Sequence, residues 1–177
     1  MCGQLKMVVL MNKYIFVTNG MARSGKDTFA ALMNEFVPTK KYSSIDYIKE
    51  IAKLCGWDGQ KNEKSRKFLS DLKILTSQYN DLPFKMIQKQ IQEFNENKKY
   101  NVLLIDVREP EEIRKLCNKY KDVKTILIKR NSVKNITSNM ADAGVFNYDY
   151  DFIIENNGTI DEFKNSVKNF VMENINV

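Results

Sequence analysis

Short apolar runs alternate along the chain with longer stretches in which apolar residues recur every three or four positions. The clearest runs are YIFVT within residues 13–18, VLLIDV within 100–107, TILI within 123–130 and FII within 151–156, with KKYSSI at 40–45 a more polar candidate. Their length and nearly unbroken apolar character predict strands buried on both faces. Between them, Phe29, Leu32, Met33, Phe36 and Val37 fall at helical spacing until Pro38 stops the pattern. Ile48, Ile51, Ala52 and Cys55 predict a second helix, broken by Gly56 and Gly59. A third runs over 61–80 with Phe68, Leu69, Leu72 and Leu75 on its apolar side. Asp81 and Pro83 predict the cap and first turn of a fourth, carrying Phe84, Ile87, Ile91 and Phe94 inward. Pro110 opens a shorter helix with Ile113, Leu116 and Cys117 inward. Thr159 and Glu162 form a capping box ahead of Phe163, Val167, Phe170 and Val171.

Strands alternating with amphipathic helices predict an α/β fold: a parallel sheet of about five strands, covered by helices on both sides in three layers. A length of 177 residues with 43% apolar content suits one domain, expected over 13–177. Met7 and Met11 are alternative starts, so residues 1–12 are read as an extension outside the core. They resemble no signal peptide, and no stretch approaches a membrane span. Residues 131–149 are polar and without periodicity, and a loop of that length in a compact domain is usually functional.

The formal charge of +6 favours anionic partners, but lysines and arginines are dispersed among Asp and Glu. That pattern suits a phosphate-bearing small molecule better than a nucleic acid. Histidine is absent, which excludes Ser-His-Asp, Cys-His and histidine-metal chemistry. Cys2, Cys55 and Cys117 show no CxxC spacing and read as reduced thiols of a cytoplasmic protein, the last two packed on apolar helix faces.

Gly20 to Thr28 reads G-x-x-x-x-G-K-D-T, between a predicted buried strand and an amphipathic helix. Glycines let successive backbone N–H groups turn around an anion, the lysine reaches the outer phosphates, and the helix offers its positive end. Gly20, Met21, Ala22, Arg23, Ser24, Gly25, Lys26, Asp27 and Thr28 therefore form the candidate ATP site. Asp27 stands where this motif usually carries the Ser or Thr that holds Mg²⁺. The loop resembles those of the nucleoside monophosphate kinases, which often read G-K-G-T; that resemblance implies Thr28 as the hydroxyl on the metal side, with Asp27 either a ligand of metal-bound water or the partner of a basic group.

The segments ARSGKDTFA, SSIDYIKEIA, SRKFLSDLK, LLIDVREPEEI and YDFIIENNGTIDEF resemble the deoxynucleoside monophosphate kinase branch of the P-loop kinases. They are more distantly similar to dephospho-CoA kinase and animal phosphomevalonate kinase. The resemblance spans most of the chain from about Lys13. It implies an adenylate-kinase-like fold with a helical substrate-binding region at about 45–97, a short lid at about 131–149, and ATP with Mg²⁺ as cofactors. IDVREP matches the family's D-x-R-x-P segment, making Asp106 a candidate for Mg²⁺ or substrate and Arg108 for the attacked phosphate. Asp106 as a helix cap is the structural alternative. Arg66 matches an arginine on a substrate-facing helix, or is a solvated helical charge, while Asp46 and Lys49 lie where the substrate helix begins. Arg130 falls where relatives stack an arginine on adenine. The NNG turn with Asn157 matches a base-contacting turn, or is an ordinary strand-to-helix turn. The lid segment departs from many relatives in having no arginine, with Lys134 its only cation.

Phosphoryl transfer needs in-line positioning and positive charge more than covalent chemistry, so a histidine-free chain can perform it. Lys26, Arg23, Arg108 and Asp27 are the candidate catalytic residues; Asp46, Lys49, Arg66, Asp106 and Arg108 are the candidate acceptor residues. The expected reaction is transfer from ATP to a (deoxy)nucleoside monophosphate. The alternatives are a kinase of another phosphorylated metabolite, such as dephospho-CoA or phosphomevalonate, and a non-kinase ATP-binding regulator. A monomer or homodimer without nucleic-acid or membrane partners is expected.

Overall fold

The central sheet has five parallel strands among the described residues, in the order β2-β3-β1-β4-β5. They are β1 (Tyr14–Asn19), β2 (Thr39–Ser43), β3 (Val102–Asp106), β4 (Lys124–Lys129) and β5 (Phe152–Glu155). The structure is a computed structural model that describes residues 12–60, 62–131 and 144–176. The helices are α1 (Lys26–Phe36), α2 (Asp46–Leu54), α3 (Glu63–Asn80), α4 (Leu82–Glu96), α5 (Pro110–Lys119) and α6 (Ile160–Asn174). Most of the proposed extension, and residues 132–143 of the proposed lid with Lys134, lie outside the described residues. Among the described residues no helix is long and apolar enough to cross a membrane.

Alternation along each strand divides the core into two. Phe16, Val102, Leu104, Ile126 and Ile128 pack with Phe29 and Met33 of α1 and Phe163, Val167 and Phe170 of α6. Val17, Leu103 and Ile105 face the other way, onto Phe84, Ile87, Ile91 and Phe94 of α4 and Ile113 and Leu116 of α5. Each of these large apolar side chains contributes about 1.5–3 kcal/mol by leaving water. Both faces of β1 and β3 are thus covered, which is why those strands read as continuous apolar runs. Parallel register aligns Thr18 and Ser43 with Asp106, so the strand ends meet at one edge of the sheet. The chain order reverses on either side of β1, the position at which open α/β sheets bind ligands.

The expected elements are all present, with three corrections in detail. Cys55 is exposed, not packed inward, because α2 ends at Leu54 and Cys55 is already its C-cap. On α3 the expected apolar stripe is not core: Leu75 is 63% exposed, and Ser65 is the buried residue. The reason is placement, since α3 packs on α2 and α4 rather than on the sheet. Asp81 does precede α4, but it caps without its side chain; its backbone is left-handed (φ 58) and its carboxylate pairs with Lys115. The Thr159–Glu162 capping box of α6 forms as expected.

Candidate active site

Gly20 leaves β1 with φ 150, Arg23 turns the loop through the left-handed region at φ 64, and Gly25 enters α1 at φ 104. A side chain at Gly20 would collide with the Ile128 carbonyl, and one at Gly25 with the Asn156 amide. Glycine is required at Gly20 because the Ile128 backbone passes so close, and at Gly25 because its positive φ disfavours any side chain and the Asn156 side chain fills the space. The Lys26 ammonium donates to the carbonyls of Gly20 (2.5 Å) and Met21 (3.0 Å), folding back along the loop. Met21 itself is buried against Leu127 and Val145 and serves the loop through its backbone. Ser24 is buried, and its hydroxyl has no hydrogen-bond partner among the described residues.

Beyond the loop, Asp106 ends β3 and accepts from the Thr18 hydroxyl. The Lys41 ammonium, on β2, lies 2.9 Å from Asp106 Oδ2 and also bonds Asp27 Oδ1. Lys41 thereby joins the two carboxylates singled out from the sequence. Asp106 is only 15% exposed whereas Asp27 is 95% exposed, so solvent screens the Asp27 half far more. Burial pulls the Lys41 pKa down, but the hydrogen bonds and charges of Asp27 and Asp106 outweigh it and the net shift is upward. Asp27 thus has the basic partner that was one of its two expected roles.

A cavity of about 1250 Å³ runs from the loop to α3. Its lining includes Arg23, Lys26, Asp27 and Thr28 from the loop and first turn of α1, Lys41 of β2, Asp106 and Arg108 at and after the end of β3, Asp46 and Lys49 of α2, and Arg66 and Lys73 of α3. Arg130, after β4, lines it as well. Asp46 accepts from the Ser43 N–H (2.9 Å) and from Lys49 (2.9 Å), closing the β2–α2 turn. Lys73, only 12% exposed, bridges Glu109 (2.7 Å) and Glu112 (2.9 Å) and so ties α3 to the segment after β3. The candidate residues from the loop, β3 and α3 therefore share one cavity. Gly20, Met21, Ser24 and Asn157 are the exceptions, since they do not line it.

The architecture has close counterparts among solved structures. A thymidylate kinase from Candida albicans aligns with TM-score 0.54 and 14% identity, over 92% of this chain and 92% of its own. A dephospho-CoA kinase from Campylobacter jejuni aligns with TM-score 0.54 and 18% identity, over 91% of this chain and 97% of its own. The chain has the fold of the P-loop kinases. TT1252 from Thermus thermophilus shares it at TM-score 0.55 and 15% identity, over 93% of this chain and all of its own. No protein-family model and no curated protein sequence matches the chain.

Within this P-loop kinase fold, three positioning residues escape a reading of the sequence. Lys41 is one. Asn19, fully buried, accepts from the Gly20 N–H (2.8 Å) and donates to the Arg108 carbonyl (3.1 Å), coupling the loop to the segment bearing Arg108. Asn156 donates to the Ser24 carbonyl (2.9 Å). Asn157, the neighbour singled out from the sequence, instead accepts from the Asn131 N–H (2.7 Å), steadying the strand end at Arg130.

Replacing Asn156 by Ala leaves the buried Ser24 carbonyl unpaired, at a cost of about 1–3 kcal/mol. Asn156→Ala is expected to lower the melting temperature by several degrees and weaken anion binding at the loop about tenfold, measured by thermal denaturation and calorimetry. Asn157→Ala, at an exposed position, is expected to change both far less.

Proposed function

We propose that the protein is a kinase that transfers the terminal phosphoryl group of ATP to a small acceptor already bearing a phosphate, foremost a (deoxy)nucleoside monophosphate. The observation that carries this reading is a single cavity lined both by the glycine loop with Lys26 and by the cations Lys49 and Arg66. Two anionic ligands held by those groups would share a space that Lys41, Asp106 and Arg108 also line.

In this reading the loop N–H groups hold the outer phosphates of ATP, and Lys26 exchanges its two carbonyl partners for them. Arg130, which lines the same cavity, would stack on adenine through its planar guanidinium. Asp27, Asp106 and the Thr28 hydroxyl would hold Mg²⁺, a donor set that suits an ion usually bound by one or two carboxylates together with substrate phosphates. Mg²⁺, when bound, neutralises charge on those phosphates. Arg66 orients the acceptor phosphate, and Arg108 and Arg23 stabilise charge on the migrating group. An ionised phosphate acceptor needs no general base, which agrees with the lack of histidine.

A second acceptor class, a phosphorylated metabolite of the dephospho-CoA or phosphomevalonate type, would use the same loop. It is favoured by the dephospho-CoA kinase, which aligns at the same TM-score as the thymidylate kinase. ADP release from Mg-ATP should be measured with every ribo- and deoxyribonucleoside monophosphate, dephospho-CoA and phosphomevalonate. Stimulation by one nucleoside monophosphate is expected. Stimulation by another acceptor moves the assignment to the second class, and tight ATP binding with no acceptor-dependent release makes the protein a nucleotide-binding regulator or ATPase.

A further inference from the structure

Two carboxylates that face one another across an anion-binding cavity repel, and something must hold them together before a divalent cation arrives. Here Lys41 does so: one ammonium contacts Asp106 Oδ2 at 2.9 Å and Asp27 Oδ1 at the same time. The arrangement is assembled from three elements that meet at one edge of the sheet, since Asp27 lies in the first turn of α1, Asp106 at the end of β3, and Lys41 on the edge strand β2. Strand alternation explains why Lys41 rather than Lys40 is used. Lys40 points to the other side of the sheet and pairs with Glu93 of α4 at 3.6 Å.

We infer that Lys41 is an internal counter-cation that occupies the seat of the divalent metal in the nucleotide-free protein and is displaced when the metal binds. The inference rests on the proposed assignment of Asp27, Asp106 and Thr28 to Mg²⁺. A monovalent ammonium and a divalent ion cannot both sit between the same two carboxylates, because they exclude and repel each other over a few ångströms. Lys41 therefore lowers metal affinity while keeping the carboxylates in register. Once released, its charge stays at the cavity wall formed by the end of β2, where it faces an anionic acceptor. Metal loading and acceptor attraction are thereby coupled through one side chain, and premature binding of bare metal is resisted.

The test is Mn²⁺ affinity, read as free aquo-Mn²⁺ by electron paramagnetic resonance, with the metal alone and with ADP present. Lys41→Met is expected to bind Mn²⁺ about tenfold more tightly than wild type, since a competing charge has gone. Lys41→Arg, which keeps the charge and can fork between both carboxylates, is expected to bind it no more tightly than wild type. Without metal, Lys41→Met should also melt at a lower temperature than wild type, and Mn²⁺ should restore more of its stability. Should the methionine variant fail to fold, Lys41→Gln takes its place in the series. Equal or weaker Mn²⁺ binding by the neutral variant overturns the inference, because Lys41 would then assemble the metal site and not compete for it. A protein that binds Mn²⁺-ADP but phosphorylates no acceptor defeats the proposed kinase reaction, yet the order of Mn²⁺ affinities still decides the role of Lys41.

Discussion

Lys26→Met is expected to reduce acceptor-dependent ADP release by about a hundred- to a thousandfold while leaving the protein folded. The two halves of that expectation rest on different features of the same side chain. In the nucleotide-free protein Lys26 lies along the loop and donates to the carbonyls of Gly20 and Met21. These bonds are only partly buried, and each contributes about 0.5–1.5 kcal/mol, so the loop loses little when they go. The loop keeps its shape through Gly20, Gly25 and the buried side chains of Asn19 and Asn156, none of which the substitution touches. What disappears, in the proposed reaction, is a charge that would reach the phosphates as negative charge redistributes during transfer, an interaction stronger in the transition state than in the ground state. Steady-state kinetics beside a thermal melt separate the two. A variant with full turnover removes Lys26 from the chemistry, and a variant that is inactive only because it is unfolded assigns the residue to structure.

How far the molecule was legible beforehand depended on whether the deciding interaction was local. Strands buried on both faces announce themselves as apolar runs, and the loop as glycines at two positions where no side chain fits. The capping box at Thr159 is likewise written within four residues. Lys41 was missed because Lys40 and Lys41 are chemically identical neighbours, and only the register of an edge strand decides which one faces Asp106. Asn156 and Asn157 pose the same problem at the end of β5, where a shift of one residue separates a loop support from an exposed turn. Leu75 read as core because helical spacing reports which residues share a face but not whether anything covers that face. Lys73 lay beyond local reasoning altogether, because its two partners are 36 and 39 residues away.

Those partners make stability pH-dependent in a defined direction. Burial, opposed by Lys73 and reinforced by the Glu109 charge, pushes the Glu112 pKa up to about 7 from its ordinary 4.5. Burial also acts on Glu109, but the charge and hydrogen bond of Lys73 outweigh it and lower its pKa. One ammonium thus neutralises one carboxylate, and the pair keeps a proton on Glu112 until near neutrality. A group whose pKa is raised on folding stabilises fully below its unfolded pKa and loses that contribution as pH rises through the folded value. Between pH of about 4.5 and 7 the cluster should therefore lose stability, on the order of 1–2 kcal/mol once screening at its exposed edge is counted. Glu112→Gln keeps the neutral form at every pH. Its stability should match wild type near pH 4 and exceed it increasingly up to pH 8, as measured by urea denaturation. Lys73→Met should act oppositely, leaving two facing carboxylates without their cation. Breaking a fully buried pair costs about 3–5 kcal/mol, and the partial exposure of both glutamates reduces this to about 2–3 kcal/mol at pH 8, with less at pH 5.5 where one carboxylate is protonated. Because Lys73 anchors α3 to the segment that follows Arg108, the same variant should loosen the acceptor wall and raise KM for the acceptor more than for ATP. Identical pH profiles for wild type and Glu112→Gln would assign the neutral-range titration to other groups.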